Sequence, residues 1–226
     1  MRTTIAIPCT ISHLPFLDFA LDKIVRGTVL PDEVVVIVSP ITDESILNNV
    51  KNKYDQRLNL KVFSAACQLN AALSRDFLTQ HITGDLILYH DADDYQHPQR
   101  LEIVKRFFED FDIVQLCHSY SYLHEGCCGK LDYDNIPYVE GKNFYDRYFV
   151  KKEQVGAFGD LISTQKTHAG ALCIKREILK DIWWKNTPIH FQNRRAEDYW
   201  FNMQAFEKYN KFLLIDAQIY VYRTRC

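Results

Sequence analysis

Through the first half of the chain, short apolar runs alternate with stretches of helical period. Thr4–Pro8, Glu33–Val38, Leu60–Phe63, Leu86–Tyr89 and Ile113–Cys117 are too short to be helices and read as strands. Glu33–Val38 is almost continuously β-branched, the pattern of a strand covered on both faces. Between the runs, apolar residues recur on single helical faces: Leu17, Leu21, Ile24 and Val25 behind Pro15, and Ile46, Val50 and Tyr54 behind a cap at Thr42 or Asp43. Leu69, Leu73 and Phe77 form a third face, and Leu101, Val104, Phe108 and Phe111 a fourth behind Pro98. A strand–helix alternation of this kind predicts an α/β fold with a Rossmann-like, mostly parallel central sheet flanked by helices.

The alternation stops at residue 118. Residues 118–167 are rich in Tyr, Gly, Asp and Lys and show no period, which predicts a binding loop or lid that moves or orders when a ligand enters. Regularity returns with a strand at Ala169–Ile174 and a short helix around Arg176–Ile182. Residues 188–195 are polar and basic. A helix follows over Glu197–Tyr209, with either Trp200, Met203 and Phe206 or Phe201 and Ala205 turned inward. Phe212–Ile215 and Ile219–Tyr222 read as closing strands. No repeat, low-complexity tract or Gly/Ser linker divides the 226 residues, so one domain is expected.

Composition narrows the function. Lys and Arg number 27 against 29 for Asp and Glu, which argues against a nucleic-acid protein working through a broad basic face. No stretch approaches a membrane span, and Met1–Pro8 reads as a first strand rather than a signal peptide. Seven cysteines in no regular framework fit a reducing cytosol, and the Cys127-Cys128 pair lacks metal-ligand spacing. A cytoplasmic protein is expected, with a peripheral position on a membrane as the alternative.

The densest chemistry lies at the end of one strand. Leu86–Tyr89 runs into Asp91, Asp93 and Asp94. In open α/β sheets, ligands bind beyond the carboxyl ends of the strands, and clustered carboxylates repel unless a cation joins them. Hard oxygen ligands suit Mg²⁺ or Mn²⁺. The plain alternative is an acidic turn that caps the next helix.

The order and spacing of several short motifs resemble the GT-A-fold glycosyltransferases of inverting family 2. Ile5-Ala6-Ile7-Pro8-Cys9-Thr10 is similar to the family's opening strand, and Asn70-Ala71-Ala72-Leu73-Ser74-Arg75-Asp76 to its "S-A-A-R-N" helix. Gly84-Asp85 and Asp91-Ala92-Asp93-Asp94 match its "G-D" and "D-S-D-D". His97-Pro98-Gln99-Arg100-Leu101 resembles "H-P-x-R-L", and the segment from Ala169 to Arg176 resembles the acceptor-side strand. Ala196-Glu197-Asp198-Tyr199-Trp200 is similar to the "G-E-D-W" helix start except at the Gly and the exact aromatic, and Tyr220-Val221-Tyr222-Arg223 to the terminal "Y-R-Y-R".

That resemblance implies transfer, with inversion, of a sugar from a nucleotide-diphosphate sugar to an acceptor hydroxyl on a glycan, a lipid-linked carrier or a protein. A UDP-sugar is the default donor. It implies Asp198 as general base, with Glu197 as the alternative, since adjacent helical residues point about 100° apart and only one aims into a cleft. Pro8, Thr10, Ser39, Arg75, Asp91, Ala92 and Asp93 are implied at the nucleotide sugar, with Asp91 and Asp93 holding Mn²⁺ or Mg²⁺. Residues 1–117 become the nucleotide-sugar half and 118–226 the acceptor half. One departure stands out: the family's "D-D-G-S" after the second strand is replaced by Val38-Ser39-Pro40-Ile41, so the carboxylate that meets the base and ribose is gone and Ser39 offers only a hydroxyl. A nucleotidyltransferase, and a non-catalytic nucleotide-sugar-binding module on the same fold, are the competing readings.

The remaining polar residues stay open. Arg75 meets the diphosphate or forms a surface pair, and His168 touches substrate or is a structural histidine. Arg194 and Arg195 bind phosphate or make a solvated turn, and Arg223 is a ligand contact or a structural partner. Tyr120, Tyr122, Tyr133, Tyr138, Tyr145 and Tyr148 stack on sugar or pack the middle segment onto the body.

Overall fold

Glu33–Ser39 forms β2, in which every residue is buried. It lies between two parallel neighbours, β1 (Thr3–Thr10) and β3 (Leu60–Ser64). That central position explains the missing alternation, because neither face of the strand meets water. β1 pairs in parallel on its other edge with β4 (Leu86–Tyr89). The computed structural model describes residues 1–41, 43–118, 129–140, 168–193 and 196–223. Among them, a two-residue strand β5 (Tyr95–Gln96) precedes β6 (Gln115–His118), β7 (Tyr138–Glu140), β8 (Leu172–Lys175), β9 (Phe212–Ile215) and β10 (Tyr220–Val221). The main sheet runs β3-β2-β1-β4-β8-β6-β9-β7. It is mostly parallel; β8 runs against β4 and β6, and β7 against β9.

Alternate residues of the central strands feed two cores, as the period of a strand requires. On one face Ile5, Ile7, Val34, Val36, Val38, Leu86 and Leu88 meet α1 (Leu14–Val25), α2 (Glu44–Tyr54) and α4 (Arg100–Asp110). On the other, Ala6, Val35, Ile37, Ile87 and Tyr89 meet α3 (Ala71–Thr79) and α6 (Glu197–Tyr209). A five-residue helix, α5 (Ile189–Asn193), precedes α6. Asp43 caps α2 by accepting the Ser45 N–H at 2.9 Å. In α6 the inward residues are Phe201, Ala205 and Phe206.

At the amino end of the central strands, Glu33 is fully buried and acts as a hub. It accepts the Thr4 hydroxyl and the Lys61 ammonium, each at 2.6 Å, and the Thr83 N–H and hydroxyl at 2.6 and 2.8 Å. Gly84 donates to it at 3.1 Å, and a Cβ at Gly84 would stand 2.3 Å from the Thr4 hydroxyl. The glycine of the "G-D" at 84–85 is therefore a packing requirement where β4 enters the sheet, while the exposed Asp85 accepts the Arg2 N–H at 3.0 Å.

Three expectations need correction. The apolar face assigned to α3 is not the buried one: Leu73 is 40% exposed, whereas Ala72, Ser74, Arg75, Asp76 and Leu78 are buried. The helix turns a polar side inward because Arg75 finds carboxylates there, which apolar counting does not register. Ala169–Ala171 is a 3₁₀ turn rather than strand, and the strand starts at Leu172. Within the supposedly aperiodic middle, Tyr138–Glu140 closes the sheet edge as β7, too short a strand for alternation to reveal. Tyr133 and Tyr138 pack onto Phe107 and onto Phe107 and Phe111 of the body, respectively. Thr42, Cys127-Cys128, Arg194, Arg195, Tyr120, Tyr122, Tyr145, Tyr148 and most of the 118–167 segment lie outside the described residues.

Candidate active site

The carboxyl ends of β1 and β4, the start of α3 and the start of α6 open onto a cleft of about 980 Å³. Pro8, Thr10, Arg75, Asp91, Asp93, Glu197 and Asp198, all expected at the site, line it together. Ser39 and Ala92 do not. Ser39 is fully buried and its hydroxyl accepts the Leu69 N–H at 3.3 Å, bracing the segment that leads into α3. Ala92 is 1% exposed and packs into the core below the acidic turn.

Arg75 ties the cleft together. Its guanidinium donates to Asp91 Oδ1 at 3.0 Å and to Glu197 Oε1 at 2.8 Å, and it lies 5.1 Å above the Trp184 ring. It is 3% exposed, so it is not a surface pair. Burial alone would raise the Asp91 carboxyl, but Arg75 overcomes this and holds it below the usual range.

The acidic turn divides its work. Asp93 lines the cleft, 3.6 Å from His13 Nδ1. Asp94 is 1% exposed; Oδ1 accepts the Arg223 N–H at 2.9 Å, while Oδ2 is buried without a partner. Burial, and then the charge of Asp91, push Asp94 well above the ordinary carboxylate range. His168 stands opposite. Its Nδ1 accepts the Gly170 N–H at 3.1 Å, and its Nε2 is 3.5 Å from Asp91 Oδ2. Ligand atoms of Asp91, Asp94 and His168 come within 4.8 Å of one another. Two carboxylates and an imidazole suit Mn²⁺, and an unpartnered buried carboxylate oxygen among them is the kind of atom a cation satisfies. The residues fit a divalent ion.

At the other wall, Asp198 is half-buried at the first turn of α6. Oδ1 accepts its own chain's Tyr199 N–H at 2.8 Å and Oδ2 the Ala169 N–H at 3.3 Å. Burial and the neighbouring Glu197 push its carboxyl up to about 7, against the pull of Arg75.

The ends of the chain's motifs meet behind the turn. β10 pairs antiparallel with β5, which brings the Tyr220 hydroxyl to accept the Asp91 N–H at 2.9 Å. Arg100 is fully buried over the Tyr220 ring and donates to the carbonyls of Tyr89 and Gly170 at 2.9 and 2.6 Å. The "H-P-x-R-L" arginine is thus a clamp beneath the site. The guanidinium of Arg223 rests 3.9 Å over Phe16. Gln68, Asn70, Gln192 and Tyr222 also line the cleft, and Asn70 donates to Gln192 across it at 2.7 Å. Sequence reasoning passed over Trp184, Gln192 and the grouping of Asp94 with His168, because each depends on tertiary proximity and none carries a motif of its own.

A doubly flanked, mostly parallel sheet with acids at the carboxyl end of β4 and an acidic pair opposite defines the GT-A class of nucleotide-diphospho-sugar transferase folds. The chain belongs to glycosyl transferase family 2, whose family model matches residues 4–183. A curated relative, the UDP-Gal:alpha-D-GlcNAc-diphosphoundecaprenol beta-1,3-galactosyltransferase of Escherichia coli, is 30% identical over 106 residues, covering 46% of this chain and 38% of that one. TarS of S. aureus, solved in complex with UDP-GlcNAc, superposes over 100% of this chain and 59% of its own at a TM-score of 0.68 and 19% identity. Glucosyl-3-phosphoglycerate synthase of Mycobacterium tuberculosis, solved with Mn²⁺, UDP and phosphoglyceric acid, superposes over 100% of this chain and 72% of its own at 0.61 and 12% identity. The chain thus spans less than two thirds of the galactosyltransferase and of TarS. Among the described residues, no helix is long and apolar enough to cross a membrane.

Proposed function

We propose that the protein transfers a sugar from a nucleotide-diphosphate sugar, by default a UDP-sugar, to an acceptor hydroxyl with inversion, and that Asp198 is the general base. The position and ionisation of Asp198 carry this reading. It lies in the same cleft as the acidic turn, its two oxygens are oriented by backbone N–H groups, and its carboxyl titrates near neutrality. A base with a pKa near the working pH is ionised often enough to act and basic enough to take a proton. Glu197 is committed to Arg75 and is the weaker candidate.

The donor's diphosphate belongs at the carboxyl ends of β1 and β4, beside Pro8, Thr10, Arg75, Asp91 and Asp93. Asp91, Asp94 and His168 would hold a divalent ion, Mn²⁺ or Mg²⁺, with Asp93 on the cleft side of the same turn; such an ion offsets the negative charge that gathers on the diphosphate as it leaves. Asp198 removes the proton of the acceptor hydroxyl from the opposite side of the sugar, and one displacement inverts the anomeric carbon. Residues 1–117 then serve mainly the donor and 118–226 mainly the acceptor within one domain, with His168 of the second half turned to the donor's ion. With Ser39 buried, recognition of the base and ribose falls to the residues that do line this end, among them Thr10, Gln68 and Asn70. The UDP-GlcNAc bound by TarS, the UDP and Mn²⁺ bound by glucosyl-3-phosphoglycerate synthase, and the lipid-linked acceptor in the name of the galactosyltransferase support a UDP-sugar donor and a lipid-linked or glycan acceptor.

A panel of nucleotide sugars with Mn²⁺ tests the reading. Release of nucleoside diphosphate and an inverted product are expected. Pyrophosphate release would indicate nucleotidyl transfer instead, and binding without turnover a non-catalytic module.

A further inference from the structure

Glu197 and Asp198 are neighbours in the first turn of α6, yet the cleft uses them differently. Asp198 has its oxygens on backbone N–H groups. Glu197 is 8% exposed and is held by Arg75, which also holds Asp91. A buried carboxylate–guanidinium–carboxylate strut therefore joins the base-bearing helix to the loop after β4. Its centre is closely fixed. Trp184 lies beneath the guanidinium, stacks on Phe201 of α6 at 4.1 Å and 12°, and donates its indole N–H to the Tyr89 hydroxyl at 2.8 Å.

As a plain brace, such a strut is a poor choice. Desolvation of buried ions consumes most of their attraction, and well-packed apolar residues hold two elements together as firmly. What an apolar pair cannot supply is charge. Arg75 is shared between Glu197 and Asp91, so the Glu197 carboxylate, one residue from Asp198, keeps part of its negative charge beside the base. The base has need of it: the helix terminus and two N–H donors all favour the ionised carboxylate and weaken it as a base.

We propose, resting on the glycosyl-transfer reading above, that Glu197 is a positioning residue for Asp198: through Arg75 it ties the first turn of α6 to the donor end of the cleft and places a negative charge beside the base. Glu197 does not itself take the proton. Among the described residues, the charged and titratable groups that face Asp198 are Glu197 on its own helix, Arg75 from α3, Asp91 after β4 and Cys117 from β6, with His168 next in the chain to its partner Ala169. Of these, Glu197 contributes most to the proton affinity of Asp198, and Arg75 opposes it.

Carboxyl-carbon NMR titration of the full chain tests the strut without any substrate, with Asp198→Asn assigning the resonance. The parent midpoint is expected at about 7. Glu197→Gln keeps the size and an oxygen for Arg75 but removes the charge, and the midpoint is expected to fall by about one pH unit. Arg75→Lys keeps a charge but cannot bridge both carboxylates, and the midpoint is expected to rise; it carries the test should Glu197→Gln not fold. In turnover, read as UDP release from UDP-sugars, the acid limb of Glu197→Gln is expected to move down by the same amount. A midpoint unmoved in the variants overturns the proposal, and so does a Glu197→Gln enzyme crippled at every pH with its limb in place. If no donor is turned over by the parent yet the midpoint moves, the proposed function fails while the strut stands. If the parent turns over and the midpoint is unmoved, the reverse holds.

Discussion

Gly170 lies so close to Tyr220 that a Cβ there would stand 2.3 Å from the phenol oxygen. That oxygen accepts the Asp91 N–H, so a glycine in the turn before β8 is linked through one ring to the acidic turn after β4. Tyr220 is fully buried beneath Arg100 and has nowhere to retreat. Gly170→Ala is expected to cost about 1–3 kcal/mol of stability, as overpacking does, and to weaken donor binding by displacing Asp91. Denaturant melts and calorimetric titration with UDP measure the two effects; a variant unchanged in both would show that the ring moves freely.

Divalent ions should matter to donor binding. Asp91→Asn and His168→Ala are each expected to raise the Mn²⁺ concentration that half-saturates UDP binding by about tenfold or more, the scale on which loss of a ligand or its support acts. His168→Ala is the cleaner arm, because Asp91→Asn also releases Arg75. Calorimetric titration at fixed UDP measures it, and UDP affinity indifferent to chelator in the parent would contradict it.

Glu33 should set the acid stability of the molecule. Burial works to raise its carboxyl, but Lys61, Thr4 and Thr83 together hold it down at about 2. Its pKa is therefore below the roughly 4.3 of an unfolded glutamate. A depressed pKa contributes stability that is fully present above the unfolded value and is lost as pH falls toward the folded one. Glu33→Gln is expected to cost about 2 kcal/mol at pH 7, typical for hydrogen bonds to a charged group, and to flatten the fall in Tm between about pH 4 and pH 2. An unchanged acid limb in thermal melts would contradict it.

Much of this was legible in the sequence, for physical reasons that can be named. β2 and β9 declare themselves because buried strands are continuously apolar, and α6 is framed at its start by Glu197 and Asp198 and at its end by Asn210, which adopts the left-handed conformation common after helices. The acidic turn was legible because like charges in close order demand an explanation. The motif position of Ser39 does not reveal whether its hydroxyl faces the cleft or the chain; in the structure it is buried and accepts the Leu69 N–H. The buried side of α3 was hidden for a related reason. Arg75 is inside only because Asp91 and Glu197, far away in sequence, meet there, and no local period encodes such a meeting.

The central claim is that Asp198 takes a proton from the acceptor. A base must be ionised to act, so turnover should be low below its folded pKa and rise with pH to a plateau through about 7. The rate of nucleoside diphosphate release from the best donor of the panel, with water or a sugar acceptor, measured against pH for the parent and for Asp198→Asn, tests this directly. The account predicts a rising limb near neutrality in the parent, and in the variant a rate lower by roughly 10²–10⁴ with that limb abolished, the loss expected for a general base. An Asp198→Asn enzyme that turns over at the parent's rate, with the same limb, would remove Asp198 from the mechanism.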